Sequence, residues 1–129
     1  MASFLEQLEH AEMLLQTYRC PELEDVLTLL DTVLQAAELG SIQYESVVRI
    51  QVQRQSVRID TEWSARCCAQ TSTYELPRSI VEAEDPVGAA QYWAREQKLA
   101  KAHDRVERAQ AKLRAAQAAY DCAMEQNHL

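Results

Sequence analysis

Between Leu99 and Ala123 the residues Leu99, Ala102, Val106, Ala109, Leu113, Ala116, Tyr120 and Ala123 recur at spacings of 3, 4, 3, 4, 3, 4 and 3. A strand turns successive side chains to opposite faces, so only an α-helix gathers such a set into one stripe. The stripe lies inside a longer stretch, 86–126, with no proline after Pro86 and no glycine after Gly88. Asp85 is placed to cap this helix, and Pro86 suits its first turn, where a missing N–H breaks no bond. At 1.5 Å per residue the helix is on the order of 60 Å long. One seam place is always large and the other always alanine, which lets a neighbouring helix approach closely in a coiled-coil-like contact. That neighbour is another helix of this chain, the same Leu99–Ala123 seam of a second copy in a homodimer, or a helix of a different protein in a heteromeric coiled coil.

The remaining pattern is also mostly helical. Two glycines and three prolines in 129 residues leave little material for the turns of a many-stranded sheet, while 47% apolar residues suffice for a packed core. Ser3 and Glu6 form an S-x-x-E capping box ahead of Phe4, Leu8, Ala11, Leu15 and Tyr18, one helical stripe. Cys20-Pro21 breaks it, with Pro21 as a new first-turn residue. Leu23, Leu27, Leu30, Leu34 and Ala37 then repeat the spacing, and Gly40 sits where a left-handed residue would end the helix. Residues 1–40 therefore read as a helical hairpin.

Residues 41–70 are ambiguous. Val48, Ile50 and Val52 alternate with polar residues, as do Val57 and Ile59, so a strand hairpin over 46–60 would turn at Arg54-Gln55-Ser56. No Gly, Pro or Asn occurs between Ser41 and Leu76 to make such turns, and Val48, Val52, Ile59, Trp63 and Cys67 lie close to one helical face. The reading favoured on this balance is a third helix, 41–70, followed by a connector, 71–85. The expected fold is all-α: a single domain, 1–129, forming an elongated bundle of about four helices.

Charge narrows the function classes. Eight acidic residues and one basic residue give 1–40 a net charge of −7, and the other eighty-nine residues sum to zero. An acidic helical hairpin predicts a protein partner with a basic surface, met through Glu9, Glu12, Glu24, Asp31 and Glu38. Glu24, Asp31 and Glu38 share one heptad place, while Lys98, Arg105 and Lys112 share another beside the long seam. Trp63, Tyr74, Tyr92 and Trp93 are further candidate contacts, since aromatic side chains anchor interfaces. Arg95, Lys98, Lys101, Arg105, Arg108 and Lys112 could track phosphates, but an overall charge of −7 opposes direct nucleic-acid binding, which is not expected.

No catalytic motif is present, and His10, His103 and His128 lack ligand-like spacing, so neither enzymatic activity nor a cofactor or metal is expected. Cys20, Cys67, Cys68 and Cys122 contain no C-x-x-C pair and read as reduced, which with the acidic start and the lack of a long apolar run predicts a cytoplasmic protein off the membrane. The function class that suits these traits is a small acidic inhibitor, of immunity or antitoxin type, that occludes its partner. The alternative is an adaptor, secretion chaperone or assembly scaffold acting through the long helix.

Overall fold

The computed structural model describes residues 2–17, 23–66 and 68–127. The elements run α1 (Phe4–Gln16), α2 (Glu24–Ala36), β1 (Ser46–Val52), β2 (Ser56–Ala65), β3 (Cys68–Pro77), α3 (Arg78–Val81) and α4 (Pro86–Asn127). The three strands form one antiparallel sheet in the order β1-β2-β3. The fold is therefore α+β and not an all-α bundle: 41–70 is no third helix, and the expected connector 71–85 holds most of β3 and all of α3.

The alternation of β-branched residues prevails because it gives the sheet one apolar face. Val57 and Ile59 of β2 lie opposite Val52 and Ile50 of β1, and opposite Leu76 and Tyr74 of β3. Register shifts between Val47 and Arg49, so Val48 is a bulge residue, left 45% exposed, while Val47 pairs with Thr61.

The turns are made without Gly or Asn because other contacts hold them. Between β1 and β2, Gln53 N–H donates to the Ser56 carbonyl, while Arg78 donates from its backbone to Gln55 O and from Nη1 to Gln53 O, both at 3.0 Å. Between β2 and β3, Arg66 itself adopts the left-handed conformation, at φ 56. The proposed places of Cys67, Tyr18 and Pro21, and the Cys20-Pro21 break, lie outside the described residues.

The apolar sheet face packs under the helices. Phe4, Leu8, Ala11 and Leu14 of α1, Val26, Leu30, Val33 and Leu34 of α2, Ile80 and Val81 of α3, and Ala90 of α4 join Ile50, Val57, Ile59 and Leu76 in one core. Leu14, rather than Leu15, completes the buried stripe of α1. Ser3 and Glu6 form the expected capping box. Glu12 accepts the Val52 N–H at 3.1 Å, so α1 also satisfies an edge group of β1.

α2 does not end on Gly40. The left-handed residue is Glu38, at φ 59, where N–H bonds from Glu38 to Gln35 O and from Leu39 to Leu34 O close a Schellman motif. Gly40 instead serves the loop that follows: at φ 146, a Cβ there would lie 2.7 Å from Tyr74 Cε1.

Two compact units result, Met1–Ala94 and Arg95–Leu129. The first includes the start of α4, capped by the Asp85 side chain through the Gly88 N–H at 3.1 Å and buried at Ala90 and Ala94. In the second, α4 is exposed at every described residue, 95–127. Among the described residues no helix is long and apolar enough to cross a membrane.

Gly40→Ala combines a positive-φ backbone with a contact on a ring whose hydroxyl is tied to Glu45. It is expected to destabilise the first unit by about 1–3 kcal/mol, read as a lower thermal midpoint by circular dichroism.

Candidate functional site

The loop 37–45 between α2 and β1 is held by two carboxylates. Asp31, on α2, accepts the Ile42 N–H at 2.8 Å and the Ser41 hydroxyl at 2.9 Å on Oδ1, and the Gln35 amide at 2.8 Å on Oδ2. Glu45, at the end of the loop, accepts the Tyr74 hydroxyl at 2.8 Å and the Thr61 hydroxyl at 3.0 Å on Oε2. Thr61 is the one buried polar side chain among the described residues, so its hydroxyl requires an acceptor. On the same sheet face, the Trp63 indole N–H donates to Ser72 Oγ at 2.8 Å.

Three hollows surround this loop. One, of about 510 Å³, is lined by Glu24, Asp31 and Glu45 with Leu27, Ile42 and Val47 among the apolar walls. The second, of about 440 Å³, shares Gln43 and Glu45 with it and adds Tyr44, Trp63 and Ser64. The third, of about 350 Å³, continues past Tyr44 and Trp63 to Glu62. No lysine or arginine lines any of the three. Tyr44 is 88% exposed and Trp63 36%, so both rings offer surface to a partner.

The expected contact residues divide accordingly. Glu24, Asp31 and Trp63 are brought together here, and Tyr74 stands behind them as the donor to Glu45. Glu9 and Glu38 are exposed on α1 and just after α2 and line none of these hollows. Glu12 is committed to the Val52 N–H. On α4, Tyr92 is 65% exposed whereas Trp93 packs against the core. Sequence reasoning missed Tyr44, Glu45, Thr61 and Glu62, because a helix over 41–70 would not set residue 45 beside residue 61. Their one local signal was an aromatic and an acidic residue side by side after Gly40.

Two groups have displaced titrations. Burial, together with the Glu45 hydrogen bond and charge, raises the Tyr74 phenol above its usual 10.0. On the opposite sheet face slight burial would raise Asp60, but hydrogen bonds from Thr73 at 2.9 Å and Arg58 at 3.2 Å, with the Arg58 and Arg49 charges, hold it below its usual 3.8. Among the described residues one further group could offer metal ligands: His103, Asp104 and Glu107, exposed along one turn of α4. His103 and Glu107 form an ordinary i, i+4 surface pair at 3.6 Å. Cys68 and Cys122 are free and exposed.

No family model, curated protein or solved structure matches the chain.

A phenol raised in the fold stabilises it while protonated, so the Tyr74 contribution is present below pH 10 and lost as pH rises through the raised value. Denaturant midpoints are expected to fall less steeply above pH 10 in Tyr74→Phe than in the wild type. The Asp60 contribution runs the other way: present above pH 3.8 and lost as pH falls through its lowered value, with Asp60→Asn flattening the acid limb.

Proposed function

We propose that the protein is a non-catalytic binding module that receives a cationic segment of a partner protein in the groove around 41–47. It acts by occlusion, as a small inhibitor of immunity or antitoxin type does. The observation that carries this reading is that Glu24, Asp31 and Glu45 line one hollow beside the loop, while Glu45 and Glu62 line the other two with Tyr44 and Trp63, and no basic side chain lines any of the three.

The roles differ from residue to residue. Asp31 and Glu45 already accept internal donors and shape the loop, so they present charge in fixed positions. Exposed Glu24 and Glu62 supply further field that steers a basic segment inward. Exposed ion pairs contribute only about 0.2–1 kcal/mol each, so tight binding depends on an arginine or lysine stem covering the aromatic rings. A guanidinium over an aromatic face adds about 0.5–2 kcal/mol.

The test is capture of partners from the native host with the wild type and with a Tyr44→Ala, Glu62→Lys double variant, both sites being exposed. The captured protein's affinity is expected to drop at least about tenfold in the double variant, and wild-type affinity to fall with added salt. Glu9→Lys, outside the groove, should leave affinity within about twofold, as a rim charge does. Equal affinity of wild type and double variant, with no salt dependence, would overturn the reading.

A further inference from the structure

The second unit presents a surface that the groove does not involve. Leu99, Val106, Leu113 and Tyr120 are 64%, 54%, 69% and 61% exposed, and they share one helix face with Ala102, Ala109, Ala116 and Ala123. Single exposed apolar residues are ordinary, but a continuous row of four large ones marks an interaction surface. With the large residues at heptad place a and the alanines at d, the edge beside the alanines carries Lys98, Arg105 and Lys112 at g. The edge beside the large residues carries His103, Gln110, Gln117 and Met124 at e.

We propose that this seam binds a helix of a different protein, one with large apolar side chains opposite the alanines and acidic side chains opposite Arg105 and Lys112. A second copy of the chain meets that description in neither orientation. Antiparallel, large residues face alanines and the sizes fit, but g meets g and the cations oppose one another. Parallel, Arg105 and Lys112 face Gln110 and Gln117 without an ion pair, while large-on-large layers alternate with alanine-on-alanine layers of different preferred spacing. The acidic α2 of a second copy is no substitute, because its apolar face, with Leu30 and Leu34 at 0% exposure, is already inside the core. Only a separate acidic helix satisfies volume and charge together. From residue 99 to residue 123 the seam is about 36 Å long, so the partner helix needs some seven turns.

The experiment uses the full chain and two synthetic helical peptides of about that length, identical at the seam with leucine facing each alanine, one edged with Glu and the other with Lys. The protein alone should be monomeric by light scattering at micromolar concentration. The Glu peptide should bind at least tenfold more tightly than the Lys peptide by fluorescence anisotropy, with the ratio shrinking in 300 mM salt. Leu113→Glu, at a site exposed in the free chain, should abolish peptide binding while leaving the thermal midpoint of the first unit unchanged. A dimer of the protein alone that Leu113→Glu dissolves would overturn the proposal in favour of a second copy. Equal binding of the two peptides, or of neither, would also overturn it. So would binding of a 30-base-pair DNA duplex that Arg105→Glu abolishes, without peptide binding, since the edge would then serve phosphates.

Discussion

The hydroxyls of Thr61 and Tyr74 converge on the Glu45 carboxylate, and much of the first unit is arranged so that they can. Thr61 lies on the central strand, fully buried beneath the helices, where an unsatisfied hydroxyl would cost about 1–3 kcal/mol. Inside the sheet the Ser72 carbonyl of β3 accepts the Thr61 hydroxyl at 3.3 Å, and the shorter, charged acceptor, Glu45 at 3.0 Å, comes from outside, where the chain leaving α2 brings residue 45 down onto β2 and β3. Glu38 in the left-handed region turns the chain, Gly40 passes the Tyr74 ring where no Cβ fits, and Asp31 ties down Ser41 and Ile42. The groove around the loop is a consequence: Tyr44, next to the anchored Glu45, is left in solvent, and the carboxylates that hold the loop line its walls.

The helices were legible in the sequence wherever local chemistry sufficed. Ser3 with Glu6, and Asp85 with Pro86, are caps whose donors and acceptors lie within one turn, so spacing alone reveals them. Of the strands, only the hairpin over 46–60 was legible, as the alternative to a helix, because what sustains the sheet is remote. The turn at Arg54-Gln55 has no residue suited to a tight hairpin and is held by Arg78, more than twenty residues away. The bulge at Val48 shifts register by one residue, so the first member of the Val48, Ile50 and Val52 alternation is exposed and Val47 takes its place opposite Thr61. Arg66 takes a left-handed conformation usually left to glycine. Each departure from local preference is offset by burial of Val57 and Ile59 under α1 and α2, a gain that no window of sequence shows.

The acidic residues of 1–40 are likewise divided by contacts remote in sequence. The eight acidic residues within 1–40 look like one surface when counted along the chain. In three dimensions Glu12 satisfies a strand edge and Asp31 a loop, while Glu45 and Glu62, from a part of the chain that is neutral overall together with α4, join Glu24 and Asp31 at the groove. A carboxylate that already accepts backbone donors is less available to a partner but better placed. The acidic surface is thus smaller than composition implies, and it is organised around aromatic rings rather than along a helix.

The two surfaces draw affinity and selectivity from different sources. Charges more than about 8 Å apart are largely screened at physiological salt, so neither the groove nor the basic edge of α4 can hold a partner by field alone. On α4 the energy lies in the row Leu99, Val106, Leu113 and Tyr120, where each fully covered large side chain contributes about 1.5–3 kcal/mol before ordering costs. Arg105 and Lys112 would then discriminate among helices able to cover that row, since a like charge set against them is disfavoured whereas an acidic edge is not. For a partner at the loop, electrostatics would set the encounter rate and the exposed rings of Tyr44 and Trp63 the residence time. Under the two proposals, opposite signs at the two places would favour different partners, an acid-edged helix for α4 and a cationic segment for the loop.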